Sequence, residues 1–251
     1  MKFALIGKPV SHSRSPQMHQ AAYDALGLDH TFEAILVEPG TVSATFDRLA
    51  AEGYRGVNIT MPHKEESLQW CEANDLSRRA RAVNTVDLTT RKGINTDGPG
   101  FVEALKENTV TGPILLLGAG GSSRALAIAM VDAGYDLTIW NRTPERAQEL
   151  AGLSGARWSG QPTVDGFAAV VNATSSSINQ ISLPLEGTQR EGLAIDLYYS
   201  SESTTFMLDM ADRGWSTLDG RSLLVAQGAL AFEFWLGIPA PRSAMKKALG
   251  L

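Results

Sequence analysis

Short apolar segments alternate with amphipathic segments along most of the chain. Apolar residues at period two, or in runs of four, predict buried strands, and apolar residues at helical spacing predict the helices that cover them. Their alternation predicts an α/β fold with a mostly parallel sheet covered on both faces. The predicted strands are Phe3–Ile6, Phe32–Val37, Val57–Thr60, Val83–Leu88, Gly93–Asn95, Ile114–Leu117, Leu137–Trp140, Ala168–Asn172 and Leu193–Leu197.

The same pattern predicts the helices. One begins after an N-cap at Ser15 and ends at Gly27, and a helical run at Lys64–Trp70 continues as helical segments to about Arg81. The others are Val42–Ala51, Phe101–Lys106, Ala125–Ala133, Pro144–Ala151, Leu223–Trp235 and Ala244–Leu249. The pattern restarts after Asn95, so we place a domain boundary near Gly98–Gly100. Periodicity does not decide which domain the last two helices cover.

Composition limits the classes of function. The chain has 251 residues, 43% hydrophobic and 20% charged, as expected for a globular protein of one or two domains. The net charge of −5 and the scattered Lys and Arg residues argue against nucleic-acid binding but allow a local pocket for an anion. Cys71 is the only cysteine, so no disulfide can form within the chain and a reducing compartment is favoured. The four histidines lack metal-ligand spacing, so no metal is predicted.

Hydropathy also limits the location. No segment has the length of a membrane span, and the apolar run Phe3–Ile6 is too short for a signal peptide. We therefore expect a cytoplasmic protein without a membrane partner. Its predicted partner is a small-molecule substrate.

A glycine-rich turn, Gly118-Ala119-Gly120-Gly121, directly follows a predicted strand and opens a predicted helix. In that context the missing side chains let the backbone approach a pyrophosphate at the helix N-terminus. Ser123 stands where the usual fingerprint has its third glycine. The alternative is a tight turn that holds no ligand.

The end of the next strand indicates which dinucleotide would bind. An NAD-binding site usually has an acidic residue there. This chain has Asn141, Arg142 and Thr143, with Arg146 one helical turn later, and two guanidiniums suit a 2′-phosphate. The cluster therefore favours NADP over NAD, although a solvated helix start would also explain Arg146. Thr174 follows another predicted strand end, where open α/β sheets bind ligands.

Polar side chains in the first hundred residues lie at or just after predicted strands, so they can share one sheet edge. Lys64 supplies a cation and a proton donor, in an unfavourable position in the first turn of a predicted helix, and Asp97 can pair with it. Hydroxyls and amides without an aromatic platform suit a small polyhydroxylated molecule. Turn or cap chemistry is the alternative for each Ser or Asn alone. The other members of this set are Ser13, Ser15, Asn58, Thr60 and Asn84.

These motifs together resemble the shikimate dehydrogenase family over nearly the whole chain. They are Gly7–Pro16, Gly56–Lys64, Ala82–Thr85, Asn95–Gly98, Gly118–Gly121 with Arg124 and Ala125, Asn141–Thr143 with Arg146 and Ala147, Asn172–Ser175 and Leu224–Gln227. The chain departs from the family pattern at Arg81, Ser222 and Gln20. None of the three departures removes a catalytic group.

The resemblance implies two α/β domains with a cleft between them. The first, residues 1–99 plus about 222–251, would bind the substrate and be completed by the C-terminal helices. The second, residues 100–221, would be Rossmann-like and bind NADP. The implied reaction is reversible NADPH-dependent reduction of 3-dehydroshikimate to shikimate, in aromatic biosynthesis. The alternatives are an enzyme acting on quinate or a related ring carboxylate, and a non-catalytic sensor of the same metabolites.

The resemblance also assigns residues. Lys64 and Asp97 would form the catalytic dyad, and Tyr199 would lie near the substrate carboxylate. Gly220 and Leu223 would lie near the nicotinamide. A monomer or a homodimer is expected. The implied substrate-binding set is Ser13, Ser15, Asn58, Thr60, Asn84, Tyr199 and Gln227.

Overall fold

The computed structural model describes residues 1–200 and 202–251. It divides into two compact units. The first unit comprises Met1–Gly100 and Leu224–Leu251, and the second comprises Phe101–Leu223. The helices in chain order are α1 (Ser15–Ala25), α2 (Val42–Ala51), α3 (Asp75–Ala80), α4 (Asp97–Glu107), α5 (Gly121–Asp132), α6 (Pro144–Ser154), α7 (Thr205–Asp212), α8 (Arg221–Leu236) and α9 (Arg242–Leu249).

The first unit is built on a six-stranded mixed sheet. Its strands are β1 (Lys2–Gly7), β2 (Thr31–Leu36), β3 (Tyr54–Ile59), β4 (Glu72–Ala73), β5 (Thr85–Asp87) and β6 (Lys92–Ile94). Their order across the sheet is β2-β1-β3-β5-β6-β4. β1 is parallel to β2 and β3, whereas β5 is antiparallel to both β3 and β6. Because β5 is antiparallel to both of its neighbours, the residue before β5 lies at the same end of the sheet as the residues that follow β3 and β6.

Helices cover both faces of this sheet. On one face, Phe3 and Leu5 join the cluster formed with α1, α8 and α9, and on the other, Ile6 and Val57 join the cluster with α2. Trp235 of α8 packs directly on Gly56, where a side chain would collide with its indole. The C-terminal helices therefore complete the core of the first unit, as the sequence resemblance implied.

The second unit contains an all-parallel six-stranded sheet. Its strands are β7 (Ile114–Leu117), β8 (Leu137–Trp140), β9 (Arg157–Trp158), β10 (Ala169–Asn172), β11 (Leu193–Asp196) and β12 (Ser216–Leu218). Their order is β12-β11-β10-β7-β8-β9, so the chain leaves β7 on one side and later returns to its other side at β10. All four residues of β7 are buried, as a strand with both faces covered requires. Ligands bind outside the carboxyl ends of the strands at such a reversal of strand order.

The predicted α/β class and two-domain fold are confirmed, and α2, β7 and β8 have the predicted bounds. The helix predicted from Lys64 is wrong. The carbonyl of Lys64 accepts a hydrogen bond from the Val83 amide, 2.9 Å away, so it is not used within a helix. A turn is followed there by a four-residue 3-10 helix, Glu66–Gln69. Lys64 therefore lies in the turn before this 3-10 helix and not in the first turn of an α-helix. The predicted unfavourable interaction between its charge and a helix dipole does not arise.

Other local predictions need correction. Ser15 is the first residue of α1 and Arg14 is its N-cap, so the helix begins one position earlier than predicted. The sequence pattern showed no sign of α7 or β12, or of the two-residue strands β4 and β9, which are too short to show a period. No described helix has the length and apolar character needed to cross a bilayer.

Candidate active site

Lys64 and Asp97 form an ion pair in the first unit. The Lys64 Nζ to Asp97 Oδ2 distance is 2.7 Å, and the two side chains are only 18% and 14% exposed. Asp97 is the first residue of α4, where the helix dipole favours a carboxylate. The Asn95 side-chain oxygen accepts hydrogen bonds from the amides of Asp97 and Gly98 and so fixes this helix start. The pair is thus a partly buried ammonium–carboxylate contact on a rigid support.

Asn84 holds the second oxygen of Asp97. Its Nδ2 donates to Asp97 Oδ1 at 2.8 Å and to Thr96 Oγ1 at 3.0 Å. Its Oδ1 accepts from the Thr96 amide at 2.7 Å and from Thr85 Oγ1 at 3.1 Å. Asn84 is 2% exposed. Both of its amide protons are therefore used inside the protein, and in this structure the side chain orients Asp97.

Asn58 extends the same system from β3. Its Nδ2 donates to Thr85 Oγ1 at 2.9 Å and to the backbone carbonyl of Asn84 at 3.2 Å. A backbone carbonyl can only accept, so these contacts fix which end of the amide is nitrogen. The buried Oδ1 of Asn58 has no partner among the described residues. We call this connected set, Asn58, Thr85, Asn84, Thr96 and Asp97, the Asn84 network.

The remaining predicted substrate residues of the first unit lie around the same sheet edge. Ser13 and Ser15 follow β1, and their hydroxyl oxygens are 3.1 Å apart. Thr60 follows the neighbouring parallel strand β3, and its amide donates to the Ile6 carbonyl at 2.9 Å. Gln227 lies on α8, where its Nε2 donates to the Leu224 carbonyl at 2.8 Å. Gly100 of α4 abuts the Gln227 backbone, since a side chain there would come within 2.7 Å of the Gln227 nitrogen.

The glycine-rich turn of the second unit joins β7 to α5. Gly118 has φ +109°, and a side chain there would lie 3.1 Å from the Ala173 carbonyl oxygen. Gly120 is the N-cap of α5, and a side chain at Gly120 or Gly121 would enter open space. The turn therefore exposes helix-start amides over a concave surface, as pyrophosphate binding requires. Ala119 lies between Gly118 and Gly120.

The predicted 2′-phosphate cluster follows β8, the strand beside β7. Arg142, Thr143 and Arg146 are exposed, and Asn141 is half-buried with its Nδ2 donating to the Thr143 carbonyl at 2.9 Å. Neither Arg142 nor Arg146 forms an ion pair within residues 1–200 and 202–251. A cavity of about 270 Å³ extends from the glycine turn to Arg146, the one member of this cluster that lines it. The cavity is lined by Ala119, Gly120, Gly121, Arg124, Arg146, Glu149, Leu150 and Leu153.

The remaining predicted residues of the second unit follow β10, β11 and β12. Thr174 is bonded to Asn172, with 2.7 Å between Thr174 Oγ1 and Asn172 Oδ1. Tyr199 is half-buried in the loop after β11. Gly220 follows β12, and a side chain there would collide with the Leu197 carbonyl. Leu223 lies in the first turn of α8. Parallel registers thus bring the cofactor residues predicted for this unit to one edge of its sheet.

Several residues of these sites were not assigned a role from the sequence. Thr85 and Thr96 connect Asn58 with Asn84, and Asn95 caps the Asp97 helix start. Each of them lies next to, or two residues from, a predicted site residue. That position was the only signal in the sequence that could have identified them. Arg124 lines the cavity at the glycine turn. It lies one helical turn past Gly120, where a cation would face an anion bound at the helix N-terminus.

Comparisons with known proteins address the family. The family model "Shikimate dehydrogenase substrate binding domain" matches residues 5–86, and "Shikimate 5'-dehydrogenase C-terminal domain" matches residues 220–249. Shikimate dehydrogenase (NADP(+)) of Thermus thermophilus is 38% identical over 99% of this chain and 97% of its own length. The chain belongs to the shikimate dehydrogenase family. The predicted family and the predicted class of NADP-dependent oxidoreductase are confirmed.

Solved structures with the same fold include one that carries the family name and one with a different named activity. A shikimate 5-dehydrogenase of Thermus thermophilus, in complex with NADP(H) and shikimate, superposes with a TM-score of 0.91 at 37% identity, covering 99% of this chain and 98% of that one. A 5-ketofructose reductase of a Gluconobacter strain superposes with a TM-score of 0.87 at 28% identity, covering 100% and 98%. The second comparison shows that this fold accommodates reduction of a different ketone, so substrate choice depends on individual side chains.

Proposed function

We propose that this chain catalyses the reversible, NADPH-dependent reduction of 3-dehydroshikimate to shikimate. Bound NADPH supplies the hydride to the C3 carbonyl carbon. Lys64 gives a proton to the oxygen as it gains negative charge, and solvent returns a proton to Lys64. In the oxidative direction Lys64 first releases a proton to solvent and then accepts the hydroxyl proton. The proposal places the reaction in aromatic biosynthesis, as in the relatives whose names state the same activity.

The Lys64–Asp97 ion pair is the observation that carries this proposal. A carbonyl that accepts hydride needs a positive group and a proton at its oxygen. The Asp97 carboxylate pairs with the Lys64 ammonium group at 2.7 Å, and Asn84 holds Asp97 from the other side at 2.8 Å. A pair that is mostly removed from solvent, with its carboxylate held by Asn84, suits a catalytic dyad better than a surface ion pair.

The substrate would be held by the polar residues around this pair. Both protons of the Asn58 Nδ2 are used inside the protein and its Oδ1 is buried, so Asn58 would contribute to substrate binding by supporting the Asn84 network. Asn84 would act chiefly by orienting Asp97, because its two amide protons are already used. The remaining proposed contacts to the carboxylate and hydroxyls are Ser13, Ser15, Thr60, Tyr199 and Gln227.

The second unit would bind NADP. The residues fit this cofactor, because open space above Gly120 and Gly121 leaves room for a pyrophosphate at the start of α5. Arg142 and Arg146 are exposed cations at the adjacent strand end and would hold the 2′-phosphate. The other proposed contacts are Gly118, Ala119, Asn141, Thr143 and Thr174, with Gly220 and Leu223 beside the nicotinamide.

A comparison of kcat/KM tests the function. Shikimate, quinate and the hydride-accepting substrate 5-ketofructose would be assayed with both NADP(H) and NAD(H). We expect the highest value for shikimate with NADP. A higher value for quinate would favour the related ring-carboxylate enzyme, and a higher value for 5-ketofructose would favour the sugar reductase. Binding of shikimate and NADP without turnover would favour a metabolite sensor.

Other assignments stay predictions. The catalytic and substrate-binding domain is proposed to be residues 1–99 with about 222–251, and the NADP-binding domain residues 100–221. A cytoplasmic location is proposed, and cell fractionation tests it. A monomer or a homodimer is expected, and light scattering distinguishes the two.

A further inference from the structure

His19 is a buried polar side chain that the proposed mechanism does not use. It lies on α1 and is 0% exposed, with its ring stacked on Phe32 at 4.3 Å between ring centroids. Neither ring nitrogen has a hydrogen-bond partner of normal geometry among the described residues. An unpaired buried polar group costs on the order of 1–3 kcal/mol, and an apolar ring would fill the same space without that cost. A specific use for an imidazole would account for its presence.

The sheet register places His19 in the layer that contains Asn58. Leu5 of β1 is paired with Asn58 of β3, and adjacent residues in register point to the same face. Leu5 belongs to the cluster under α1, α8 and α9, so Asn58 lies on that face as well. Trp235 packs on Gly56, two residues before Asn58, and its ring centroid is 5.8 Å from that of His19.

The unpaired atoms of the two side chains are complementary. Asn58 uses both protons of Nδ2, and its unpaired atom is the acceptor Oδ1. His19 has unpaired ring nitrogens, one of which carries a proton in the neutral form. A donor and an acceptor, both buried and both unpaired, therefore share one layer of the first unit.

The environment keeps His19 uncharged. Burial lowers the pKa of His19 to about 3, and an interaction with the Asn58 side chain acts in the opposite direction. Tyr23 is the titratable side chain on α1 beside the ring, and burial raises its pKa, so it too is uncharged. Phe32 and Trp235 complete the apolar surroundings. An imidazole in this setting works as a fixed hydrogen-bond donor.

We propose that His19 is a positioning residue whose neutral ring N–H donates to Asn58 Oδ1 and so orients the amide that supports the Asn84 network. The Asn84 network then connects His19, through Asn58 and Thr85, to Asp97. This proposal rests on the proposed function only for the identity of the substrate. The hydrogen bond between His19 and Asn58 stands apart from it.

A double-mutant cycle tests this role. His19→Phe keeps the aromatic ring and removes the donor, and Asn58→Ala removes the acceptor. Tyr23→Phe is the matched control, because it also removes one buried, unpaired polar atom from the same aromatic cluster. We expect His19→Phe to lower kcat/KM for shikimate about tenfold, the effect of one lost hydrogen bond, with KM for NADP unchanged. Tyr23→Phe should stay within about twofold of wild type.

The cycle gives two readouts. In the Asn58→Ala background, His19→Phe should have little further effect on kcat/KM, and the two changes should be non-additive in the denaturant midpoint. His19→Gln, which retains a donor, should recover most of the loss. Independent effects in both readouts, multiplicative in kcat/KM and additive in the denaturant midpoint, would overturn the proposal. An equal loss in Tyr23→Phe would do the same. If wild type does not turn over shikimate, the proposed function fails, and the denaturant midpoints still decide the hydrogen bond.

If His19→Phe does not fold, NMR of the wild-type protein with isotope-labelled histidine decides the question. We expect one neutral tautomer at pH values below the ordinary histidine pKa of about 6.5, with a ring N–H protected from exchange. Titration of His19 near that ordinary value would contradict the proposal.

Discussion

In the first unit the side chains of the Asn84 network are buried or mostly buried and are hydrogen-bonded to one another, whereas in the second unit the arginines predicted to hold the cofactor are exposed. Asn84 is 2% exposed and makes every hydrogen bond that its amide protons allow. Arg142 and Arg146 are exposed and form no ion pair within the described residues. The first unit therefore has a preorganised site, and the second presents charges over an open glycine turn.

The difference matches the two tasks. Charge stabilisation at a reacting carbonyl needs donors that are already in place, because reorganisation during the reaction raises the barrier. A phosphate needs cations that can adapt to it, and such contacts are screened by salt. Changes in the first unit should therefore affect kcat and stability, and changes in the second should affect cofactor affinity.

The largest expected effect is at Lys64. Lys64→Ala removes the proton donor of the proposed mechanism, so kcat should fall by about 10²–10⁴ with a smaller change in KM. Lys106→Ala, at an exposed lysine on α4, is the control and should leave kcat unchanged. Steady-state kinetics with shikimate and NADP measure both. A kcat near wild type in Lys64→Ala would remove Lys64 from the mechanism.

Asn84→Ala should affect both stability and kcat. It leaves Asp97 Oδ1 and the Thr96 amide without their partners in a buried setting. Unsatisfied buried groups of this kind lower the free energy of unfolding by about 3 kcal/mol in total. The matched control is Asn108→Ala, whose amide donates to the Ala104 carbonyl at an exposed helix end. Equal stability losses in the two variants, measured by denaturant unfolding, would contradict a preorganised site.

Arg142→Ala and Arg146→Ala should each raise KM for NADP about tenfold and leave KM for NAD nearly unchanged, because only NADP carries the 2′-phosphate. The increase should shrink at high salt. Arg157→Ala is the control: it is an exposed arginine of the same unit that pairs with Asp136 at 2.6 Å. Equal losses with NADP and NAD would place these arginines away from the 2′-phosphate.

The parts that could be predicted from sequence are those decided by neighbouring residues. The apolar run Ile114–Leu117 followed by Gly118 and Gly120 specifies a buried strand and a tight turn, and the structure has both. The bounds of α2 and β8 were also predicted correctly from neighbouring residues. In each of these cases the apolar residues that decide the element lie within one short segment, so that segment alone was sufficient to predict it.

The parts that could not be predicted depend on residues far apart in the chain. Lys64 is outside a helix because Val83 takes its carbonyl. Asn84 meets Asp97 because β5 runs antiparallel to β6, and no periodicity specifies that reversal. The sequence raised His19 only as a possible metal ligand. Its place in the same layer as Asn58 depends on the pairing of β1 with β3, which the sequence pattern does not specify.

The smallest expected effect concerns the pH dependence of stability in the first unit. Burial lowers the pKa of His19 to about 3 in the folded protein, from an ordinary value of 6.5. Between these values the unfolded chain binds a proton that the folded protein does not, so this residue lowers the free energy of unfolding as the pH falls below 6.5. The expected loss is about 2 kcal/mol by pH 5.

His19→Phe should lack this loss, so its stability relative to wild type should rise by about 2 kcal/mol between pH 7 and pH 5. Tyr23→Phe keeps His19 and should follow the wild-type curve. Denaturant unfolding across this pH range measures the difference directly, since other titrating groups contribute equally to all three proteins. Parallel curves for wild type and His19→Phe would mean that His19 is not held neutral in the folded protein.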